Sequence, residues 1–226
     1  MIVFVRAPAL GQGKRRLAAA IGDIAAWRFQ RAALNTLLAR LARDKRWTTV
    51  LAVTPDRAER RMDSGAERQM DYGAERRMDY GAERRMDAPR AAGRCVFGQG
   101  SGDLGARMAR ALRAAPPGPA VLVGADIPEL CADHVWRAFR ALGHADAVFG
   151  PARDGGYWLI GLGRARRHLG LGFVRWSSPH ALADSRAALG PGKRIALIDV
   201  LSDIDDGVDH ALWRARGARG RTAGGA

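Results

Sequence analysis

The stretch Ala120-Val121-Leu122-Val123-Gly124-Ala125-Asp126-Ile127-Pro128-Glu129-Leu130 decides the fold. Ala120 to Val123 form a short, wholly apolar run, as expected of a central parallel strand covered on both faces. Gly124 lets the chain turn at the carboxyl end, and Pro128 prevents a helix from starting at once. Asp126 therefore projects at the strand's carboxyl edge, where open α/β sheets collect ligands. Two readings of Asp126 stand here: a metal-binding acid, or a cap for the helix expected to begin near Asp133.

Moving outward, Ile2–Val5 is a second apolar run. The loop after it, Pro8-Ala9-Leu10-Gly11-Gln12-Gly13-Lys14-Arg15-Arg16, ends in three consecutive cations. Gly11 and Gly13 allow close backbone approach, while Lys14 and Arg16 offer a point charge and a fork to phosphate. The glycine spacing is not that of a P-loop. A helix to about Asp44 follows, capped by Asp23, with Leu34, Leu37, Leu38 and Leu41 on one face. Thr48–Val53 then reads as a strand, so β-α-β order implies a right-handed crossover and a parallel pair.

Beyond Arg94–Phe97, where the chain is expected to return to the sheet, lies Gly98-Gln99-Gly100-Ser101-Gly102-Asp103, a second glycine-rich loop before a helix over Leu104–Arg113. Gln99 carries both a donor and an acceptor, the pairing a base edge requires, and Asp103 can cap the helix. Past the central strand, Val135, Phe139 and Leu142 face inward on a helix, and Ala147–Gly150 forms a strand. The run Pro151-Ala152-Arg153-Asp154-Gly155-Gly156-Tyr157-Trp158 combines a hairpin signal with an aromatic pair that could wall a small-molecule site. A helix around His180–Leu189 and a last strand at Arg194–Val200 lead to Asp203, Asp205, Asp206 and Asp209.

From Arg57 to Ala88 the chain repeats RAERRMDS, GAERQMDY, GAERRMDY and GAERRMDA. In a helix the methionines would drift by about 80° per copy, so they cannot make one buried stripe. An eight-residue unit is also too short to stack as a solenoid. We expect one domain over residues 1–216 carrying these octads as an insertion at 57–88, with a structureless tail at 217–226.

The net charge of +14 raises nucleic acid as a partner. Among 37 basic residues, however, only Lys14, Lys45 and Lys193 are lysines, and no aromatic spacing accompanies the arginines. That pattern suits a general arginine bias better than a nucleic-acid groove. Neither the membrane-span length of roughly 20 apolar residues nor a charged signal-peptide lead is present, so a cytoplasmic location is expected. Cys95 and Cys131 have no metal-ligand spacing and read as buried free thiols.

Taken together, PALGQGKRRL, GQGSGDLGARM, GADIPEL, GPARDGGYWLIGL and DIDD resemble, in that order, the GT-A-type nucleotide-diphospho-sugar transferase superfamily. The likeness is nearest to its bacterial arsenosugar-biosynthesis-type glycosyltransferase branch, related to molybdenum-cofactor and 2-phospholactate guanylyltransferases. It implies a three-layer αβα, Rossmann-like fold with a mostly parallel sheet. Pro8, Gly11, Lys14 and Arg16 would hold nucleotide phosphates, with Gln99 and Gly102 at the base. Asp126 and Asp205 would bind Mg2+ or Mn2+, and Asp154, Gly155, Gly156 and Tyr157 would line the acceptor or sugar side, Asp126 and Asp154 being the catalytic pair. The chain departs from the pattern at Arg15 and Asp206, where threonine is usual. The resemblance implies a nucleotide sugar or nucleoside triphosphate as donor and a small-molecule acceptor. Glycosyl transfer is the expected reaction, nucleotidyl transfer with pyrophosphate release its rival, and non-enzymatic nucleotide or RNA binding a third possibility.

Overall fold

The protein was studied as a computed structural model, which describes residues 1–58, 95–163 and 169–222. Strands β1 (Ile2–Arg6), β2 (Val50–Thr54), β3 (Cys95–Gly98), β4 (Ala120–Gly124), β5 (Ala147–Pro151), β6 (Tyr157–Leu162) and β7 (Ile195–Leu197) form one sheet. Their order is β3-β2-β1-β4-β6-β5-β7. All neighbours run parallel except β6, which is antiparallel to both β4 and β5. The Asp154-Gly155 turn makes this exception possible, because a hairpin returns β6 beside β5 without a crossover helix.

Side chains alternate along the strands and so divide the core in two. Val3, Val5, Leu51, Val53, Val121 and Val123 point to one face. There they meet Leu34, Leu37, Leu38 and Leu41 of α2 (Asp23–Leu41) and Val135 and Ala138 of α4 (Ala132–Ala141). Ile2, Ala52, Leu122, Phe149 and Ile160 point to the other face, against Met108, Ala111 and Leu112 of α3 (Leu104–Ala114) and Ala181 of α5 (Ala181–Ala188). Three layers follow, as the apolar runs and the leucine spacing require.

A smaller cluster joins Leu17 of α1 (Arg15–Ile21), Ala26 and Phe29 of α2, and Ile204, with Trp213 of α6 (Gly207–Thr222) packed against it. Gly207 lies so near α1 that a Cβ there would stand 2.4 Å from Ala20 Cβ. Register brings the carboxyl ends of β1, β2 and β4 to one edge, since Arg6 pairs with Thr54 and Phe4 with both Ala52 and Gly124. The antiparallel β6 begins at that same edge, Tyr157 pairing with Pro151 at the end of β5.

Several local expectations shift. Asp23 is the first residue of α2 and Gly22 is its cap, with no side-chain capping bond. The last strand shrinks from Arg194–Val200 to Ile195–Leu197, because the chain then peels away with only isolated contacts, Ile198 N–H to Phe149 O at 3.0 Å and Leu201 N–H to Pro151 O at 3.2 Å. Helix α6 continues to Thr222 where a tail was expected from residue 217, its alanines and arginines outweighing the glycines as helix formers. Apart from Arg57 and Ala58, which belong to a 3-10 turn, the octads lie outside the described residues.

Candidate active site

Lys14 closes the loop after β1 with φ 40° and ψ 44°, in the left-handed region that non-glycine residues rarely occupy. Backbone held there turns the side chain back over the sheet edge, and outliers of this sort gather at functional sites. The Lys14 ammonium contacts the Asp126 carboxylate and lies 2.5 Å from Asp205 Oδ1. Arg16 Nη2 takes the other Asp205 oxygen at 2.7 Å. Residues from β1's loop, β4's end and the segment before α6 thus converge.

What holds the late acids is Ile204. Its side chain is buried against Leu17 and Phe29, and its N–H donates to Asp126 O at 3.2 Å. The flanking residues Asp203 and Asp205 consequently turn toward Asp126, and one oxygen from each of the three lies within 4.8 Å of the others. Asp126 is not the cap of α4. That role falls to Cys131, whose N–H donates to His134 Nδ1 at 3.1 Å, with Sγ also 3.1 Å from that nitrogen.

The charges respond to this crowding. Burial pulls the Lys14 ammonium toward neutrality, but the two carboxylates outweigh it and hold its pKa above the ordinary value. Asp205 is raised by burial, yet Lys14 and Arg16 bring it below the usual range. Asp203 is pushed up to about 7 by burial and by the neighbouring Asp205 and Asp126, against a smaller downward pull from Lys14. Three hard oxygen donors this close together are a set that could hold a divalent cation.

Two cavities meet at these acids. The first, about 410 Å3, is bordered by Arg6, Pro8, Lys14, Arg15, Arg16 and Gln30, with Asp126 and Asp205 on its wall. The second, about 180 Å3, is bordered by Asp126, Asp154, Tyr157, Trp176, Ser178 and Asp203. One cavity is basic and the other, among the described residues, carries no cation on its lining. Asp126 belongs to both.

A family model described as "Uncharacterized protein conserved in bacteria (DUF2064)" matches residues 37–178, well over half of the 226 residues. The chain belongs to this family. Among solved structures, this DUF2064 chain resembles a putative nucleotide-diphospho-sugar transferase from Desulfovibrio desulfuricans at 25% identity and a TM-score of 0.71, covering 91% of this chain and 81% of that one. It shares its fold with 4-diphosphocytidyl-2C-methyl-D-erythritolsynthase from Anaerococcus prevotii, at 12% identity and a TM-score of 0.56 over 95% of each chain. The same holds for CMP:2-keto-3-deoxy-manno-octonic acid synthetase complexed with CTP, at 11% identity and a TM-score of 0.51 over 96% of this chain and 97% of that one. No curated protein matches significantly. The superfamily resemblance read from the motifs is thereby borne out.

Of the site residues expected in this DUF2064 chain, Pro8, Lys14, Arg16, Asp126 and Asp205 gather at the first cavity, and Asp154, Gly156 and Tyr157 at the second. Gly155 lies beneath the second cavity, against Pro179. Gly11 faces away, on an outer groove with Leu10 and Ile24. Gly102 forms the turn before α3 and lines neither cavity. Gln99 differs most from expectation. It is 1% exposed, its Nε2 donating to Val5 O at 3.0 Å and Ala52 O at 2.8 Å, and its Oε1 accepting from Arg107 at 3.2 Å. With its amide hydrogens spent on carbonyls of β1 and β2, it fastens the two strands and has no hydrogen available for a base edge. Arg6, Gln30, Trp176 and Ser178 escaped the sequence reading, since no spacing or motif separates them from ordinary loop and helix residues.

Proposed function

We propose that the protein is a divalent-metal-dependent glycosyltransferase that binds a nucleotide sugar in the basic cavity and an acceptor in the adjoining one. The observation that carries this is the position of Asp126, Asp203 and Asp205 on the boundary between a cation-rich and a cation-free cavity. The diphosphate of a nucleotide sugar matches the cations of the first cavity, and the cation-free cavity beside it is left for a neutral acceptor. Lys14, Arg15 and Arg16 would take the phosphate oxygens, and the three acids would hold Mg2+ or Mn2+. When bound, the ion neutralises the diphosphate and stabilises it as a leaving group.

The residues of this chain supply the remainder. Asp154, on the acceptor side, accepts the proton of an acceptor hydroxyl as that oxygen bonds to the anomeric carbon. The bond from that carbon to the diphosphate breaks, and its electron pair leaves with the nucleoside diphosphate. Lys14 and Arg16 then balance the charge developing on the departing phosphate oxygens.

The test is nucleotide release from a panel of nucleotide sugars with Mg2+ or Mn2+, run beside pyrophosphate detection from each nucleoside triphosphate. We expect slow nucleotide release that Asp126→Asn abolishes with folding intact, since the amide keeps the shape and loses the charge. Pyrophosphate formation dependent on Asp126, without nucleotide-sugar turnover, would reassign the reaction to nucleotidyl transfer.

A further inference from the structure

The second cavity is built with more care than a plain cleft requires. Its outer wall is Trp176–Ser178, and Ser177 sits at φ 56°, a left-handed conformation costly for a residue with a side chain. Three attachments hold that wall in place. Arg175 grips Asp184 of α5 through Nε and Nη2, each at 2.8 Å, and Ser178 Oγ donates back to Arg175 O at 2.6 Å. On the far side, Gly155 meets Pro179 so closely that a Cβ would stand 2.2 Å from Pro179 O. The hairpin turn carrying Asp154 and the segment carrying Trp176 are thus fastened to each other across the cavity.

The lining specifies the chemistry of an occupant. Tyr157 and Trp176 pack edge to face at 6.4 Å, giving an aromatic corner, and the Tyr157 hydroxyl is engaged behind it, accepting from Ser185 Oγ at 3.1 Å. The indole Nε1 of Trp176 is buried and has no hydrogen-bond partner among the described residues. Asp154, Asp203 and Asp126 add carboxylates, and Ser177 and Ser178 add hydroxyls. At about 180 Å3 the space falls below the ~300 Å3 at which pockets for drug-sized ligands begin, so it suits a single ring or a short chain.

Resting on the transferase reading above, we propose that Trp176–Ser178 is the specificity-determining wall of the acceptor subsite, and that this subsite takes a small, uncharged, hydroxyl-bearing ring and rejects phosphorylated ones. A ring places its C–H faces on the aromatic corner and its hydroxyls on Asp154 and Ser178. A phosphate there meets carboxylates and no arginine or lysine among the described lining residues. With a divalent ion held by Asp126 and Asp203, Asp154 would remain the carboxylate that faces the acceptor.

The experiment is saturation-transfer NMR on the full chain with Mg2+, the basic cavity blocked by excess inorganic pyrophosphate. Methyl glucoside and glucose are compared with glucose 6-phosphate. We expect transfer to the ring protons of the two neutral sugars and none to the phosphorylated one. Trp176→Ala, which removes one side of the aromatic corner, weakens the neutral sugars about tenfold. Ser178→Arg weakens them too and admits glucose 6-phosphate; thermal melts of both variants establish that they fold. Glucose 6-phosphate bound by the unaltered protein as well as glucose, silence from both neutral sugars, or folded variants that change nothing would overturn the proposal. Calorimetric titration of nucleoside diphosphates with Mg2+ reports separately on the donor cavity. Neutral-sugar binding without nucleotide binding there would sink the transferase reading and leave the neutral-ring preference standing.

Discussion

Replacing Ile204 by alanine tests how the acidic site is assembled. The side chain is 5% exposed and packs on Leu17 and Phe29, while its own N–H reaches Asp126 O. Truncating a buried isoleucine costs about 2–5 kcal/mol from lost transfer and the cavity left behind. Because this cluster is small and lies beside α6 rather than under the sheet, the lower half of that range applies, about 2–3 kcal/mol. For a chain of this size that lowers Tm by about 4–12 °C. The effect should not stop at stability. Asp203 and Asp205 flank the anchor, so loosening it widens the spacing of the three acids and weakens Mn2+-dependent nucleotide affinity, read by calorimetry at a temperature well below the variant's Tm. Leu182→Ala, on the partly buried rim of the other core face, serves as a comparison that lowers Tm without touching the acids. A drop in Tm from Ile204→Ala with Mn2+-dependent affinity unchanged would refute the idea that this side chain sets the geometry of the site.

Gly155→Ala forces a Cβ onto Pro179 at a left-handed φ of 85°, so we expect a loss of about 2 kcal/mol or more and a weaker second cavity. A melt within 1 °C of the unaltered protein would count against the contact between the turn and Trp176–Ser178. Asp184 is held well below the usual carboxylate range, chiefly by its hydrogen bonds from Arg175. Its folded pKa being depressed, the pair contributes stability above the ordinary value of 3.8 that is lost as pH falls through the folded one. Asp184→Asn should therefore melt lower at pH 7, with the gap closing as pH falls below 3.8; a gap constant with pH would assign the effect to packing. Gln99→Leu leaves Val5 O and Ala52 O without their side-chain donor and should cost about 1–3 kcal/mol, with nucleotide affinity reduced only as far as β1 and β2 shift. A base-selective loss of affinity at unchanged Tm would restore Gln99 as a base reader.

The sequence by itself determined the local elements and the edge at which they end. Apolar runs such as Ala120–Val123 and the Leu34, Leu37, Leu38, Leu41 spacing encode strand and helix through periods that any core imposes on its nearest neighbours. Glycine, proline and acid at the end of β4 likewise mark a sheet edge, because backbone sterics act over two or three residues. The tertiary structure alone decided which side chains meet there. Lys14 and Asp205 are 191 positions apart, and nothing local in either loop specifies the contact. It arises because β1 and β4 pair in register while Ile204 is buried beneath α1. Gln99 shows the same limit from the other side: its amide has the donors and acceptor a base would need, but β1 and β2 supply carbonyls first. Trp176 and Ser178 became part of a site only when the β5–β6 hairpin folded back against Pro179, since packing between segments distant in sequence is set by the whole core and leaves no pattern in either segment alone.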